Sequence, residues 1–230
     1  MSIQLPLGIG LRDDASFDNF ISGANAEAVS AVQRNARSGG GEPIIYLWGG
    51  DGVGKTHLLQ AACHQASAQG EAAAYIPLAQ AGELSPAMLE GLEQLALVCI
   101  DDIQAIAAQP AWEAALFHLY NRLRDSGTRC IIAGNAAPAG LALRLPDLVS
   151  RLAWGLVLHL ATLDDEGLLA ALQLRARNRG LDMPEEVAQF LLRRHSRDMP
   201  LLFALLDRLD HASLTAQRRL TIPFVKGVVG

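Results

Sequence analysis

Short, almost wholly apolar runs recur along the chain at residues 44–48, 72–77, 95–100, 130–134 and 155–160. Between them lie stretches at 56–68, 86–94, 111–125 and 146–152 where apolar positions return every three or four residues. Runs of that length with no polar alternation are the pattern of strands buried on both faces, and the intervening period is that of helices. Strand and helix in strict alternation predict a mostly parallel, three-layer α/β sheet. After residue 160 the strand signal stops. Residues 164–179, 184–194, 198–215 and 222–229 all carry the helical pattern, with Pro184 at a first-turn position that tolerates proline. The expected layout is a tail over residues 1–12, an α/β domain over 13–160 and a small helical lid over 161–230. The tail shows no nameable element. Residues 36–43, rich in glycine, read as a loop before the first strand.

Composition narrows the class. The chain has 230 residues, half of them hydrophobic, which suits one folded domain with a small appendage and argues against disorder. A formal net charge of −5 gives no support for non-specific nucleic-acid binding. Cys63, Cys99 and Cys130 all sit in apolar runs without metal-ligand spacing, as small buried hydrophobes do in a reducing compartment. His57, His118 and His195 have no paired ligands in sequence, and the few aromatic residues are scattered. There is neither a signal-peptide pattern nor an apolar run of spanning length. The expectation is a cytoplasmic protein with no membrane association and no direct sequence-specific DNA binding.

Chemistry enters at the end of the first strand. Gly49, Gly50, Asp51, Gly52, Val53, Gly54, Lys55 and Thr56 fit G-x-x-x-x-G-K-[ST], between an apolar run and a helical pattern, as a phosphate-binding loop requires. Glycines let the backbone form a concave nest of N–H groups. The helix start adds a favourable dipole. Lys55 can reach β- and γ-phosphates, and Thr56 can ligate Mg²⁺. The third apolar run ends in Asp101 and Asp102. A buried strand ending in acids is the Walker B arrangement, with Asp101 for the metal and Asp102 for an attacking water. Where many ATPases have Glu, Asp102 is one methylene shorter, so hydrolysis should be slow. Asn135 ends the fourth run, at the sheet edge where ligands of open α/β sheets bind, and could meet the γ-phosphate or water. Arg151, in the pattern before the fifth run, is a candidate arginine finger acting on a neighbour's nucleotide.

Taken in order, phosphate loop, Asp-Asp strand end, Gly-Asn strand end and Ser150-Arg151-Leu152 resemble an AAA+ ATPase. The stretches 16–25, 55–59, 100–104 and 150–155 are closer to the bacterial replication initiator DnaA. With no initiator-type N-terminal domain or C-terminal helix–turn–helix domain in the chain, the resemblance narrows to DnaA-related AAA+ proteins of the Hda type, the regulatory inactivators of DnaA. Residues 173–177 and 220–226 agree, and the likeness spans about residues 4–229. It implies an AAA+ P-loop domain with a lid, holding ADP (or ATP) and Mg²⁺. It implies two partners, DnaA and the DNA polymerase III β sliding clamp, and leaves room for a homodimer. Gln4, Leu5, Pro6, Leu7, Gly8 and Ile9 are similar to the clamp-binding peptide of such proteins, although Gly8 stands where a proline is usual. The lid's sensor arginine aligns with Pro200, with Arg197 or an arginine of 173–177 as substitutes. Loss of that arginine would favour stable diphosphate binding over self-hydrolysis. The implied function is negative regulation of replication initiation by an ATPase activator, with weak ATPase of its own at most. The rivals are an ATP-driven helicase loader or other AAA+ remodeller, and a small-molecule P-loop kinase.

Overall fold

The structure, a computed structural model, describes residues 15–195, 197–216 and 219–229. They fall into two compact units. One comprises the described residues up to Phe20 together with Asn25–Ala161, the other Ile21–Ala24 and the described part of Thr162–Gly230.

The larger unit is built on five parallel strands: β1 (Ile44–Trp48), β2 (Ala73–Pro77), β3 (Leu97–Asp101), β4 (Arg129–Gly134) and β5 (Leu156–His159). Their order across the sheet is β2-β3-β4-β1-β5. Side chains alternate between two cores. Ile44, Tyr46, Ile76, Val98, Ile100, Cys130 and Ile132 pack on one face with α3 (Pro110–Ser126) and α4 (Pro146–Leu152). Ile45, Leu47, Tyr75, Cys99, Ile131 and Ala133 pack on the other with α1 (Ala26–Asn35) and α2 (Lys55–Ala68). Cores on both faces explain why the strands are continuous apolar runs.

Two segments depart from the sequence pattern. Residues 86–94, expected as a helix, form two 3₁₀ turns, Pro86–Leu89 and Leu92–Gln94. Glu90 is extended and Gly91 takes φ +79°, a left-handed conformation that ends a right-handed turn. Conversely, residues 26–35, which the sequence reading gave no element, form α1 with Ala28, Val29, Ala31 and Val32 turned inward. Its start is held by Asn25, whose side-chain amide donates to Ala161 O at 2.9 Å while its Oδ1 accepts from Ala161 N at 2.8 Å.

A buried carboxylate pins the turns at the start of α3 and before α4. Glu113 Oε1 accepts from Ala108 N at 2.8 Å, and Oε2 accepts from Arg144 N and Leu145 N at 2.8 Å each. Ala108 needs this support, because it sits at φ +61°, a region non-glycine residues rarely occupy. Glu113→Gln would turn one oxygen into a donor facing N–H groups. It should cost about 2–4 kcal/mol, the penalty of unsatisfied buried partners of a charged group, read as a lower melting temperature.

The smaller unit contains α5 (Asp165–Asn178), α6 (Glu185–Arg194), α7 (Met199–Ala216) and α8 (Ile222–Val229) around Leu172, Val187, Leu191, Leu206, Leu209 and Val225. Asp164 Oδ1 accepts from Gly167 N at 2.8 Å, capping α5. No described helix is long and apolar enough to cross a membrane.

Candidate functional site

β4 lies between β1 and β3, so the carboxyl ends of all three strands meet along one edge. The phosphate loop leaves β1 there, and Gly49 N donates to Gly134 O at 3.3 Å. The loop's glycines have specific work. A Cβ on Gly49 would come within 2.5 Å of Leu160 O, and Gly54, at φ +98°, would thrust one to 2.5 Å from the Phe20 ring. At the end of β4, a Cβ on Gly134 would meet Tyr46 Oη at 2.3 Å.

Lys55 opens α2 and is buried. Its ammonium donates to Gly49 O at 2.8 Å and Gly50 O at 2.7 Å, and among the described residues it has no carboxylate partner. A buried cation satisfied only by loop carbonyls calls for an anion. A phosphate in the loop would supply it.

One residue on, Thr56 Oγ1 donates to Asp101 Oδ2 at 2.6 Å, and Tyr75 Oη donates to the same oxygen at 2.9 Å. Asp101 Oδ1 accepts from Asp102 N at 3.0 Å. Burial pushes the Asp101 carboxyl above its usual range, while the Thr56 hydrogen bond pulls the other way. A hydroxyl and a carboxylate in contact are hard oxygen donors of the kind Mg²⁺ takes, usually alongside water and substrate phosphates. Among the described residues no cluster of three or more His, Cys, Asp or Glu could hold a metal alone. The pair therefore fits a cation that arrives with a nucleotide.

Asp102 adopts φ +56°, held at the turn after β3. Its Oδ1 accepts from Gln104 Nε2 at 2.9 Å, and Gln104 Oε1 accepts from Asn135 N at 3.2 Å. Gln104 thus links the two strand ends whose polar residues the sequence singled out. Neither Gln104 nor Tyr75 stands out in the sequence as a site residue. For Gln104, an amide two residues past an acidic strand end was the available signal, whereas Tyr75 hides inside an apolar run. Nearby, His57 Nε2 lies 2.7 Å from Ser16 O, and its ring packs at 5.6 Å from that of Phe20.

Arg151 is not part of this cluster. It lies in the last turn of α4, where its Nε donates to Asn121 Oδ1 of α3 at 3.1 Å and its guanidinium sits 4.1 Å from the centre of the Trp154 ring. In the helical unit, Pro200 occupies the first turn of α7, and Asp198 Oδ1 accepts from Leu201 N at 3.0 Å. Arg197 pairs with Asp165 at 2.8 Å, both exposed, and the Arg175 guanidinium lies 4.4 Å from the Phe203 ring centre. Residues 4–9, expected to bind a clamp, lie outside the described residues.

A five-stranded parallel sheet with a phosphate loop after β1, an acidic end on β3, a polar end on β4 and a helical unit following defines an AAA+ P-loop protein. The family model of the bacterial DnaA ATPase domain matches residues 11–159, and that of the Hda lid domain matches residues 164–229. The chain belongs to the bacterial DnaA ATPase-domain family and carries an Hda-type lid. Together these support a DnaA-related AAA+ protein of replication control. Among solved structures it is similar to domain III of the Thermotoga maritima replication initiation protein DnaA, at 26% identity and TM-score 0.86, covering 96% of this chain and 98% of that one. It also resembles AMPPCP-bound DnaA from Aquifex aeolicus, at 23% identity and TM-score 0.70 over 86% of this chain and 66% of that one. The Thermotoga maritima RuvB Holliday-junction branch-migration motor shares the fold, at 18% identity and TM-score 0.69 over 93% and 70%.

Proposed function

We propose that this chain is a nucleotide-holding adaptor that shuts off replication initiation by stimulating hydrolysis of DnaA-bound ATP. The observation that carries this reading is a DnaA-type ATPase domain joined in one chain to an Hda-type lid. The nucleotide is ADP or ATP, with its phosphates in the loop from Gly49 to Thr56. When Mg²⁺ is bound, it supplies charge neutralisation at the phosphates, and Thr56 and Asp101 hold it. Asp102 and Asn135 face the γ-phosphate side, tied together by Gln104. The family resemblance aligns Pro200 with the lid's sensor arginine, and loss of that arginine would favour holding a diphosphate over self-hydrolysis. Arg151 acts outward, on the ATP of a docked DnaA, in the manner of an arginine finger. Residues Gln4 to Ile9 bind the sliding clamp, the glutamine amide by hydrogen bonds and the leucines in apolar pockets.

The decisive experiment measures hydrolysis of DnaA-bound ATP with this protein added, with and without clamp loaded on DNA. Stimulation that depends on the loaded clamp is the expected result. No stimulation in either case, together with rapid ATP turnover by this protein alone, would favour the remodeller reading instead.

The clamp contact has its own test. Gln4→Ala combined with Leu7→Ala should remove clamp binding in a pull-down or titration, with nucleotide binding and melting temperature unchanged. A chain starting at residue 13 that still binds clamp at full strength would refute the assignment.

A further inference from the structure

Tyr75 lies inside β2, and strand register brings it to the site. β2 pairs with β3 so that Pro77 lies beside Asp101 and Tyr75 beside Cys99, two residues back. Tyr75 and Cys99 belong to the core shared with α2, so the phenol lies on the α2 side of the sheet. From there its hydroxyl donates to Asp101 Oδ2 at 2.9 Å, the oxygen that also accepts from Thr56 Oγ1 at 2.6 Å. The phenol oxygen in turn accepts from the side-chain amide of Gln60, a buried residue of α2. Thr56 and Gln60 are four residues apart, hence neighbours on one face of that helix. A buried polar chain, Gln60 to Tyr75 to Asp101, thus crosses an otherwise apolar core and ends beside Thr56.

We propose that Tyr75, braced by Gln60, is a positioning residue that fixes the Asp101 carboxylate for the divalent cation that arrives with the nucleotide. This rests on the reading of Thr56 and Asp101 as the cation's ligands given above. A carboxylate offers about four acceptor sites, two on each oxygen. Both sites of Oδ2 are taken, by Thr56 and Tyr75, and one site of Oδ1 is taken by Asp102 N at 3.0 Å. Among the described residues the last site, on Oδ1, has no donor, which leaves it for the cation or for water that the cation carries. Donors on both oxygens also stop the carboxylate from turning about its Cβ–Cγ bond. Thr56, by donating to Oδ2, keeps the lone pairs of its own oxygen for the same cation. Gln60 decides the direction of the phenol's bond. The phenol has one hydrogen, and because Gln60 donates to its oxygen, that hydrogen is committed to Asp101. Without the phenol, Oδ2 would have an open site, and the carboxylate would be able to present either oxygen. Partners that hold a metal's ligands raise its affinity without touching it. A ring that merely filled the core would need no hydroxyl, since phenylalanine fills nearly the same space.

The test titrates the full-length protein with ADP over a series of Mg²⁺ concentrations and reads the affinity at each. In the wild type, Mg²⁺ should tighten ADP binding. In Tyr75→Phe the Mg²⁺ concentration giving half of that gain should rise by about ten- to a hundredfold, the usual effect of removing a partner of a metal ligand. The affinity for ADP without Mg²⁺ should stay that of the wild type. A folded Tyr75→Phe protein with the wild-type Mg²⁺ requirement overturns the proposal. So does one that loses affinity equally with and without Mg²⁺, the mark of a phenol that only supports the core. Tyr75→Phe leaves the Gln60 amide without its acceptor, which is itself destabilising. If melting curves show that variant unfolded, Tyr75→Phe combined with Gln60→Met carries the same test, because exchanging both partners for apolar groups of similar shape is nearly neutral. A double variant that also fails to fold makes the phenol a brace of the core and overturns the proposal. Should the wild type bind ADP with no response to Mg²⁺, the cation reading falls and this inference with it. A Mg²⁺ response lost in Thr56→Ala but intact in Tyr75→Phe overturns this inference alone.

Discussion

Arg151→Ala should leave the protein folded, nucleotide-loaded and clamp-competent, yet remove its stimulation of DnaA-bound ATP hydrolysis by about 10³–10⁵-fold, the range an arginine finger commands where it is required. The structural cost of the change is small by comparison. The cation–π contact with Trp154 is solvent-accessible, worth about 0.5–1 kcal/mol. The single hydrogen bond to Asn121 adds about 1.5–3 kcal/mol at most, the range for a bond to a charged group. The effects therefore separate. A bracing role predicts a lower melting temperature with stimulation intact once the protein is kept folded. A finger predicts the reverse. Arg151→Lys is informative because it keeps the charge. Lysine should not restore stimulation, since a point charge lacks the planar fork that grips two oxygens at once. Melting curves and the stimulation assay on one mutant preparation decide between the roles, and normal stimulation by folded Arg151→Ala would sink the finger.

The strands were legible because burial on both faces removes polar alternation. β1 coincides with its apolar run, and the other four lie within two residues of theirs. Most helices were equally legible, α4 and α8 to the residue. The failures differ in cause. Over 86–94 the apolar spacing suits a helix, but Gly91 in a left-handed conformation decides the backbone, and periodicity carries no sign of φ. α1 was passed over although Ala28, Val29, Ala31 and Val32 do line one face, whereas its anchor, Asn25 on Ala161, is a contact distant in sequence. The site divides the same way. The phosphate loop and the Asp-Asp pair are local patterns, each legible by itself, while their meeting at Thr56 and Asp101 joins α2 to the end of β3. Tyr75 on Asp101, Gln104 between Asp102 and Asn135, and Asn121 on Arg151 join different elements. Such pairings depend on strand order and helix packing, which no local spacing records.

Lys55→Ala is the second change with a large expected effect, and it acts on the chain's own nucleotide. Lys55 is buried and, among the described residues, bonded only to the carbonyls of Gly49 and Gly50. On the proposed reading a bound phosphate becomes the anion that this cation lacks. Truncating one member of a buried, hydrogen-bonded charge pair costs about 2–5 kcal/mol. At about 1.4 kcal/mol per decade, that weakens nucleotide binding by roughly thirty- to several-thousandfold. Nucleotide that copurifies with the wild type should be missing from Lys55→Ala, as read by chromatography of the denatured protein. The loop itself could collapse, because Lys55 ties two of its carbonyls together. A melting curve without nucleotide checks this, and a wild-type value there assigns the loss to the missing charge. Thr56→Ala separates the metal from the phosphate. It removes the hydroxyl that meets Asp101 at 2.6 Å, so the dependence of binding on added Mg²⁺ should shrink while Mg²⁺-free affinity is unchanged. The wild type should turn over ATP far below about one per second, slow by the standard of enzymes. Turnover above that rate, or Lys55→Ala protein that retains its nucleotide, would show that the loop does not hold the phosphates as proposed.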